Sequence, residues 1–160
     1  MNNIKSGAKF SKCGMYRYSL WRRWVSHDDT RVLFIMLNPS TADETENDPT
    51  ITRCIGYAQS WGFGELVVCN LFAYRSTDPK HIKYATDPVG ADNNALIIEQ
   101  VMVADLIVCA WGSRGSHLGR SEEVMKLIKG YEPHYLKMTK SGEPSHPLYL
   151  KKVLTPLRFD

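Results

Sequence analysis

Cysteine is scarce in this sequence, and none of its four cysteines lies in a Cys-x-x-Cys pair. Zinc and iron–sulfur centres are built from closely spaced thiolates, so this spacing disfavours both kinds of site. We expect Cys13, Cys54, Cys69 and Cys109 to be free and mostly buried thiols in a reducing compartment. The sequence therefore predicts neither a metal nor a cofactor.

Long apolar runs are missing as well. No run approaches the ~20 residues that a membrane-spanning helix needs, so no membrane partner is expected. Residues 1–5 lack the apolar stretch of a signal peptide, and we expect a cytoplasmic protein. The net charge of +3 is too small to demand a nucleic-acid partner, although it permits one.

Three common enzyme signatures are absent too. The chain has no Walker-type glycine loop, no Gly-x-Gly-x-x-Gly after a strand and no Gly-x-Ser-x-Gly elbow. P-loop, dinucleotide-dependent and α/β-hydrolase chemistries are therefore disfavoured. The length of 160 residues suffices for one packed domain, which we assign to residues 1–160.

What the sequence does contain is a set of short apolar runs that read as strands. Residues 32–37, 66–69 and 106–110 are continuously apolar and rich in β-branched side chains. A strand that is covered on both faces has this pattern. Residues 135–138 are expected to add a fourth central strand, and residues 16–24 an antiparallel edge strand.

Helices are predicted between these strands. Asp48 is expected to cap a first helix that has Pro49 in its first turn and ends at Gly62. A second helix is expected from about residue 92 to 103, and Ser121 is expected to cap a third. The alternation predicts a three-layer α/β/α sandwich with a mainly parallel central sheet of about four strands plus the N-terminal edge strand.

Each apolar run stops at residues that a core does not need. They are Asn38, Pro39 and Ser40, then Asn70, and then Trp111 and Gly112. Ligands of open α/β sheets bind outside the carboxyl ends of the strands, so these residues are expected to face one crevice. Asn38 can orient a water, and Asn70 can read the edge of a nucleobase or an amide. The alternative is that both asparagines bond only nearby backbone.

Other candidate groups lie in loops. His146 can supply a hydrogen bond or a positive charge near neutral pH. The acids between Ser40 and Thr50 fit a metal site, a catalytic pair or a solvated loop, and Asp43 is the candidate base. Three arginines are candidates for phosphate contacts: Arg53, Arg75 and Arg114.

Several strings in the sequence resemble a known family. They are LNPSTAD at 37–43, NLFAYR at 70–75 and HPLYL at 146–150. They resemble a bacterial and phage family classed as a domain of unknown function, over residues from about 13 to 150. That resemblance implies no activity.

The order of these features is also similar to the uracil-DNA glycosylase superfamily. Its members carry an Asn-Pro or Asp-Pro motif after a central strand, an Asn or similar group after the next strand, and a late His-Pro loop. The resemblance implies that Asn38 positions water at the anomeric carbon and that Asn70 bonds a flipped base. It implies that His146 stabilises negative charge on the leaving base.

The same resemblance implies contacts to the rest of the substrate. Phe72 or Tyr74 would stack on the base, and Leu148 or Leu150 would fill the vacated stack. Lys151 and Lys152 would contact phosphates. Met stands at position 36 where that superfamily has Gly, so we expect a modified base rather than uracil.

The leading hypothesis is therefore a metal-independent N-glycosylase that acts on DNA. A second hypothesis is a non-catalytic module that binds nucleic acid or a nucleotide on the same fold. A third is a nucleotide-processing enzyme that uses Asp43 and Asp48 with a divalent ion.

Overall fold

A mixed sheet of seven strands forms the middle of the protein in the computed structural model, which describes residues 4–24 and 29–160. The strands lie in the order β1-β2-β4-β3-β5-β6-β7. Their bounds are β1 Lys5–Phe10, β2 Arg17–Arg23, β3 Arg31–Met36, β4 Glu65–Asn70, β5 Leu106–Cys109, β6 His134–Tyr135 and β7 Leu157–Arg158.

The inner strands of this sheet are parallel. β3 pairs in parallel with β4 and β5, and β5 pairs in parallel with β6. The pairs β1–β2, β2–β4 and β6–β7 are antiparallel. Strands β3 and β4 are buried almost throughout, which accounts for their continuously apolar sequences. The fold is thus mixed α/β, with the predicted parallel strands at its centre.

Two strand predictions need correction. The segment predicted as an edge strand, β2, lies between β1 and β4 instead. The sequence does not predict β1, because this strand is only partly buried and includes a glycine, Gly7. A Cβ at Gly7 would lie 2.6 Å from the Trp21 ring. The predicted fourth strand is short, since only His134–Tyr135 pairs with β5 and Met138 instead bridges to Pro144.

Three α-helices cover the sheet in the described ranges: α1 Pro49–Ser60, α2 Asn93–Val103 and α3 Arg120–Ile128. Short 3₁₀ turns cover Pro79–Tyr84, Ser113–Gly119 and Lys129–Tyr131. Asp48 caps α1 as predicted, because its Oδ1 accepts the N–H of Ile51 at 2.9 Å. Ser121 is not a cap; it lies inside α3, which begins after Gly119.

Hydrophobic clusters lie on both faces of the sheet. Residues of α1 pack on one face, where the Phe34 ring stacks on Tyr57 and Trp61. Residues of α2 and α3 pack on the other. This arrangement gives three layers and leaves the carboxyl ends of the parallel strands open at one edge. None of the helices in the described ranges has the length and hydrophobicity that a membrane crossing needs.

The cysteines are free, and three of them are buried in this core. Burial raises the pKa of the Cys69 thiol to about 12, and it also raises the pKa values of Cys54 and Cys109. Cys13 is exposed. The three buried thiols therefore act as small apolar side chains at neutral pH.

Candidate active site

A cavity of ≈ 330 Å³ opens at the carboxyl ends of β3 and β4. Five residues predicted from the sequence line it: Asn38, Ser40, Asn70, His146 and Leu148. They come from three separate parts of the chain and meet because β3 and β4 are parallel neighbours with the 146–148 loop beside them. The expected shared crevice therefore exists, although not every predicted residue faces it.

Asn38 follows β3 directly and is held in one orientation. Its Nδ2 donates to the carbonyl oxygens of Pro39 at 3.1 Å and Ser76 at 3.0 Å. Both partners are hydrogen-bond acceptors, so the side-chain atom that faces them must be the amide nitrogen Nδ2 and not the oxygen Oδ1. No described residue donates to Oδ1, which leaves this atom as an acceptor for a ligand. Pro39 is buried and serves as part of this support.

Asn70 ends β4 and is only 1% exposed. Its backbone oxygen accepts from Asn93 Nδ2 at 2.9 Å, and its Oδ1 accepts a long hydrogen bond of 3.4 Å from Arg17 Nη2. A guanidinium only donates, so this contact places the amide oxygen towards Arg17. The Nδ2 donors meet no acceptor in the described structure and are free for a ligand.

Arg17 is a site residue that the sequence analysis missed. It lines the cavity, is 2% exposed and donates from Nη1 to the carbonyl of Ala42 at 3.0 Å. Its Nε is buried and has no hydrogen-bond partner within residues 4–24 and 29–160. Burial lowers its pKa to about 10, and the negative charge of Asp48 opposes that effect. Arg17 is therefore charged at neutral pH and makes the cavity attractive to an anion.

His146 lies on a loop after β6 and presents a donor. Its Nδ1 accepts the N–H of Leu148 at 3.3 Å, so the neutral ring carries its proton on Nε2. Burial lowers the pKa of His146, and the nearby carboxylate of Asp48 only partly offsets this. The ring is thus neutral at pH 7 and can donate from Nε2.

Trp111 and Gly112 support this loop rather than line the cavity. Trp111 is 1% exposed, and its Nε1 donates to Glu143 Oε2 at 2.6 Å. Ser121 Oγ donates to the other oxygen of Glu143 at 2.8 Å. Gly112 donates its N–H to the carbonyl of Pro144 at 2.7 Å. The structure therefore does not bring Trp111 and Gly112 to the cavity, and both support the loop that bears the histidine.

Phe72, Tyr74 and Arg75 also lie outside the cavity lining. Phe72 is fully buried in the core beside α2 and α3, and Tyr74 packs edge-on against Tyr16 at a centroid distance of 5.9 Å. Arg75 donates to the carbonyl of Gly14 and lies 4.7 Å over the ring of Phe10. The structure therefore brings none of these three side chains to the cavity, because each one makes contacts within the fold.

Asp43 is turned into its own loop. Its Oδ1 accepts the N–H groups of Thr45 at 2.9 Å and Glu46 at 2.8 Å, and these bonds lower its pKa. Arg22 holds the same loop through the carbonyls of Asp43 at 2.6 Å and Glu46 at 3.1 Å. The structure therefore does not bring Asp43 to the cavity, and its carboxylate is occupied by hydrogen bonds within its own loop.

Asp48 is the carboxylate that does line the cavity. Besides capping α1 through Oδ1, it accepts the N–H of Ala42 through Oδ2 at 3.4 Å. No group of three or more His, Cys, Asp or Glu side chains suited to a metal ion occurs within residues 4–24 and 29–160. The pairing of Asp43 with Asp48 around a divalent ion therefore finds no support in this geometry.

The remaining basic candidates lie around the cavity. Arg53 and Lys152 line a second depression next to it. Lys151 is exposed, and its backbone oxygen accepts the hydroxyl of Tyr57 at 2.6 Å. Arg114 is exposed and lines a separate hollow of ≈ 300 Å³.

One exposed aromatic was overlooked at the cavity rim. Leu148 lines the cavity and Leu150 packs against the core, whereas Tyr149 between them is 90% exposed. Tyr149 also has a φ of 74°, a conformation that is costly for a bulky side chain. Tyr149 is thus an exposed aromatic next to a residue of the cavity lining.

Residues 17–148 match the family described as "Protein of unknown function (DUF1643)". Neither the curated proteins nor the solved structures contain a match to the chain. The match spans the sheet from β2 to β6, all three α-helices and every cavity residue named above. The chain belongs to this family.

Proposed function

We propose that this member of the DUF1643 family hydrolyses the N-glycosidic bond of a nucleobase held in the cavity. One observation carries the proposal. Asn38, Asn70 and His146 line the same cavity, and each keeps a hydrogen-bonding atom that the fold does not use. Asn38 keeps an acceptor, which suits the attacking water. Asn70 keeps donors, which suit the edge of the base, and His146 keeps a donor, which suits the charge on the base as it leaves.

The chemistry follows from these atoms. Water that donates to Asn38 Oδ1 attacks the anomeric carbon, and a carbon–oxygen bond forms as the bond to the base nitrogen breaks. The electron pair of that bond passes to the base, and the proton lost by the water goes to solvent. A neutral His146 donates from Nε2 to the charge that grows on the base, and Arg17 adds a fixed positive charge.

The base is selected by Asn70. Because Arg17 occupies the amide oxygen, Asn70 offers its nitrogen and favours a base edge that presents an acceptor. A volume of ≈ 330 Å³ lies near the lower end of the ~300–1,000 Å³ typical of ligand sites, which suits one base with its sugar. The resemblance of the Asn38 and His146 motifs to the uracil-DNA glycosylase superfamily supports the same reading.

A second candidate function is binding of a base or nucleotide without catalysis. One observation favours it: Asp48 is the one carboxylate in the described lining, and both its oxygens accept backbone N–H groups. No carboxylate is then free to remove a proton from water. A glycosylase built on this cavity would have to pass the proton of the attacking water to solvent.

Base release from modified oligonucleotides tests the proposal. The protein and its Asn38→Ala variant are incubated, with EDTA present, with DNA that bears uracil, hydroxymethyluracil, mismatched thymine or hypermodified bases. Alkali-labile sites are then counted. We expect the variant to lose about 10²–10³-fold in kcat, as when one preorganised polar group is removed from an active site, while it keeps its affinity for DNA.

Two results would contradict the proposal. Equal base release by the variant would remove Asn38 from the chemistry. Absence of release across the panel, with DNA still bound, would favour the binding module. The thermal melting curve of Asn38→Ala serves as the control, because the loss of two hydrogen bonds from Nδ2 must not be mistaken for unfolding.

A further inference from the structure

A second depression of ≈ 750 Å³ lies next to the cavity. The two spaces share Asp48, Pro49 and Leu148 as lining residues. We call the second space the α1 groove, since Asn47, Thr52, Arg53, Gly56, Tyr57 and Ser60 form one side of it and Lys152 the other. The cavity and the groove are therefore neighbouring spaces at the start of α1.

The far wall of the α1 groove is held in place by hydrogen bonds. Tyr57 Oη donates to the carbonyl of Lys151 at 2.6 Å, and Trp61 Nε1 donates to the carbonyl of Leu154 at 3.1 Å. These bonds attach the C-terminal segment to α1 on both sides of Lys152. The groove is thus a built feature whose width is set by two aromatic side chains, buried Tyr57 in α1 and partly buried Trp61 at its C-terminal cap.

The floor of the α1 groove contains an unusual glycine. Gly56 lies in the middle of α1, is exposed, and has nothing within 4 Å of the place where a Cβ would be. A helical glycine destabilises its helix relative to alanine, and no packing contact accounts for this one. Its effect is a stretch of bare backbone that a ligand can approach closely.

The charges that line the α1 groove are mainly positive. Arg53 and Lys152 form no ion pair in the described parts of the chain, and Arg53 Nη1 is buried without an acceptor. A buried unpaired donor calls for a partner. Asp48 is the one acid in the lining, and it lies at the junction with the cavity. The groove therefore suits a ligand that is anionic away from the cavity.

We infer that the α1 groove binds the single strand of a polynucleotide whose target base occupies the cavity, with phosphates at Arg53 and Lys152. This inference rests on the proposed function for the position of the base. A strand of sugars and phosphates combines apolar surface with regularly spaced negative charge, which matches the tyrosine, the bare helix floor and the two cations. The substrate is then a polynucleotide rather than a free nucleoside.

Binding of a fluorescein-labelled single-stranded oligonucleotide, followed by anisotropy, tests the inference. Arg53→Gln and Lys152→Gln are each expected to weaken binding about tenfold at low salt, the effect of one lost charged hydrogen bond. Each should also reduce the slope of log K against log salt by about 0.7. Lys126→Gln is the matched control, because it removes the same charge from the exposed face of α3.

Two substitutions at Gly56 separate folding from binding. Gly56→Ala meets no neighbouring atom and is expected to raise the melting temperature, because alanine is the better helix former. Gly56→Gln keeps a helix-forming residue but places a side chain in the α1 groove, so oligonucleotide affinity should fall. KM for base release from an oligonucleotide should rise as well.

The outcomes separate the two proposals. If the Arg53, Lys152 and Gly56→Gln variants bind oligonucleotide as Lys126→Gln does, the groove inference is wrong whatever the activity. If no substrate releases a base but these variants still lose affinity, the groove stands and the glycosylase proposal falls. If Asn38→Ala abolishes release while the groove variants are unaffected in both assays, the function stands and the substrate strand lies elsewhere.

Discussion

Asp48 has two effects, since it caps α1 and places a negative charge beside the cavity. Replacing it by Asn or by Ala measures the two effects separately. Asn caps helices about as well as Asp, so Asp48→Asn removes the charge and keeps an acceptor for the N–H of Ile51. Asp48→Ala removes both. The difference between the variants measures the cap, and the difference between Asn and wild type measures the charge.

The magnitudes follow from the contacts. Loss of an N-cap acceptor costs about 1 kcal/mol of unfolding free energy. The charge of Asp48 opposes the burial penalty of Arg17, which is 2% exposed, although the two side chains form no direct ion pair in the described structure. At an effective dielectric constant of ~20, an attraction between unit charges that are not in direct contact is worth about 1–2 kcal/mol. We therefore expect losses of about 1–2 kcal/mol for Asn and about 2–3 kcal/mol for Ala.

Urea denaturation at pH 7, monitored by circular dichroism, measures these losses of unfolding free energy. In a thermal melt, each kcal/mol lost should lower Tm by ~2–4 °C. Asp78 is a matched control, because it caps a 3₁₀ turn through Lys80 at 2.9 Å and is not a charge partner of Arg17. Asp78→Asn should leave stability almost unchanged. Equal losses of unfolding free energy for Asp48→Asn and Asp48→Ala would refute the cap argument. An Asp48→Asn variant as stable as the wild-type protein would refute the coupling to Arg17.

Two further predictions concern the loop that bears His146. Burial holds the pKa of His146 below the ordinary 6.5, so the folded state resists protonation. Unfolding free energy should therefore be level above about pH 6.5 and fall as the pH drops through the lowered value, and His146→Gln should reduce the loss seen between pH 7 and pH 5. A pH dependence equal to that of wild type would contradict this. Tyr149→Gly should relieve the φ of 74° and leave stability equal or up to about 1 kcal/mol higher. It should also weaken oligonucleotide binding by the ~1–3 kcal/mol of one lost stacking contact, and unchanged affinity would exclude that contact.

The central part of the fold could be predicted because its signals are local. Continuous apolar runs identify β3, β4 and β5, and the Asp-Pro pair identifies the start of α1. β1 carries no such signal, since its burial depends on the Trp21 ring lying over Gly7. The shortness of β6 also depends on tertiary contacts, because Leu136 is buried by packing rather than by strand pairing.

The candidate site shows the same division. Asn38, Asn70 and His146 could be predicted because each follows a strand or belongs to a motif, and parallel strands bring such positions together. Trp111 continues the alternate positions of β5 that face the α2 and α3 side of the sheet, and Phe72 turns to that side after β4 has ended. Arg17 was missed because its burial depends on long-range contacts with Ala42 and Asn70. Strand phase thus accounts for Trp111, whereas the path of the chain beyond β4 accounts for Phe72.

Arg17 and Arg22 hold the loop of residues 42–46 in a way that leaves its sequence free to vary. Arg17 bonds the carbonyl of Ala42, and Arg22 bonds the carbonyls of Asp43 and Glu46. Every amino acid supplies a carbonyl, so these anchors do not depend on which side chains the loop carries. Substitutions at residues 44–46 can therefore accumulate, by drift or by design, while the loop keeps its path beside the cavity. The neighbouring surface can acquire new substrate contacts without rebuilding the site, provided that the two arginines stay.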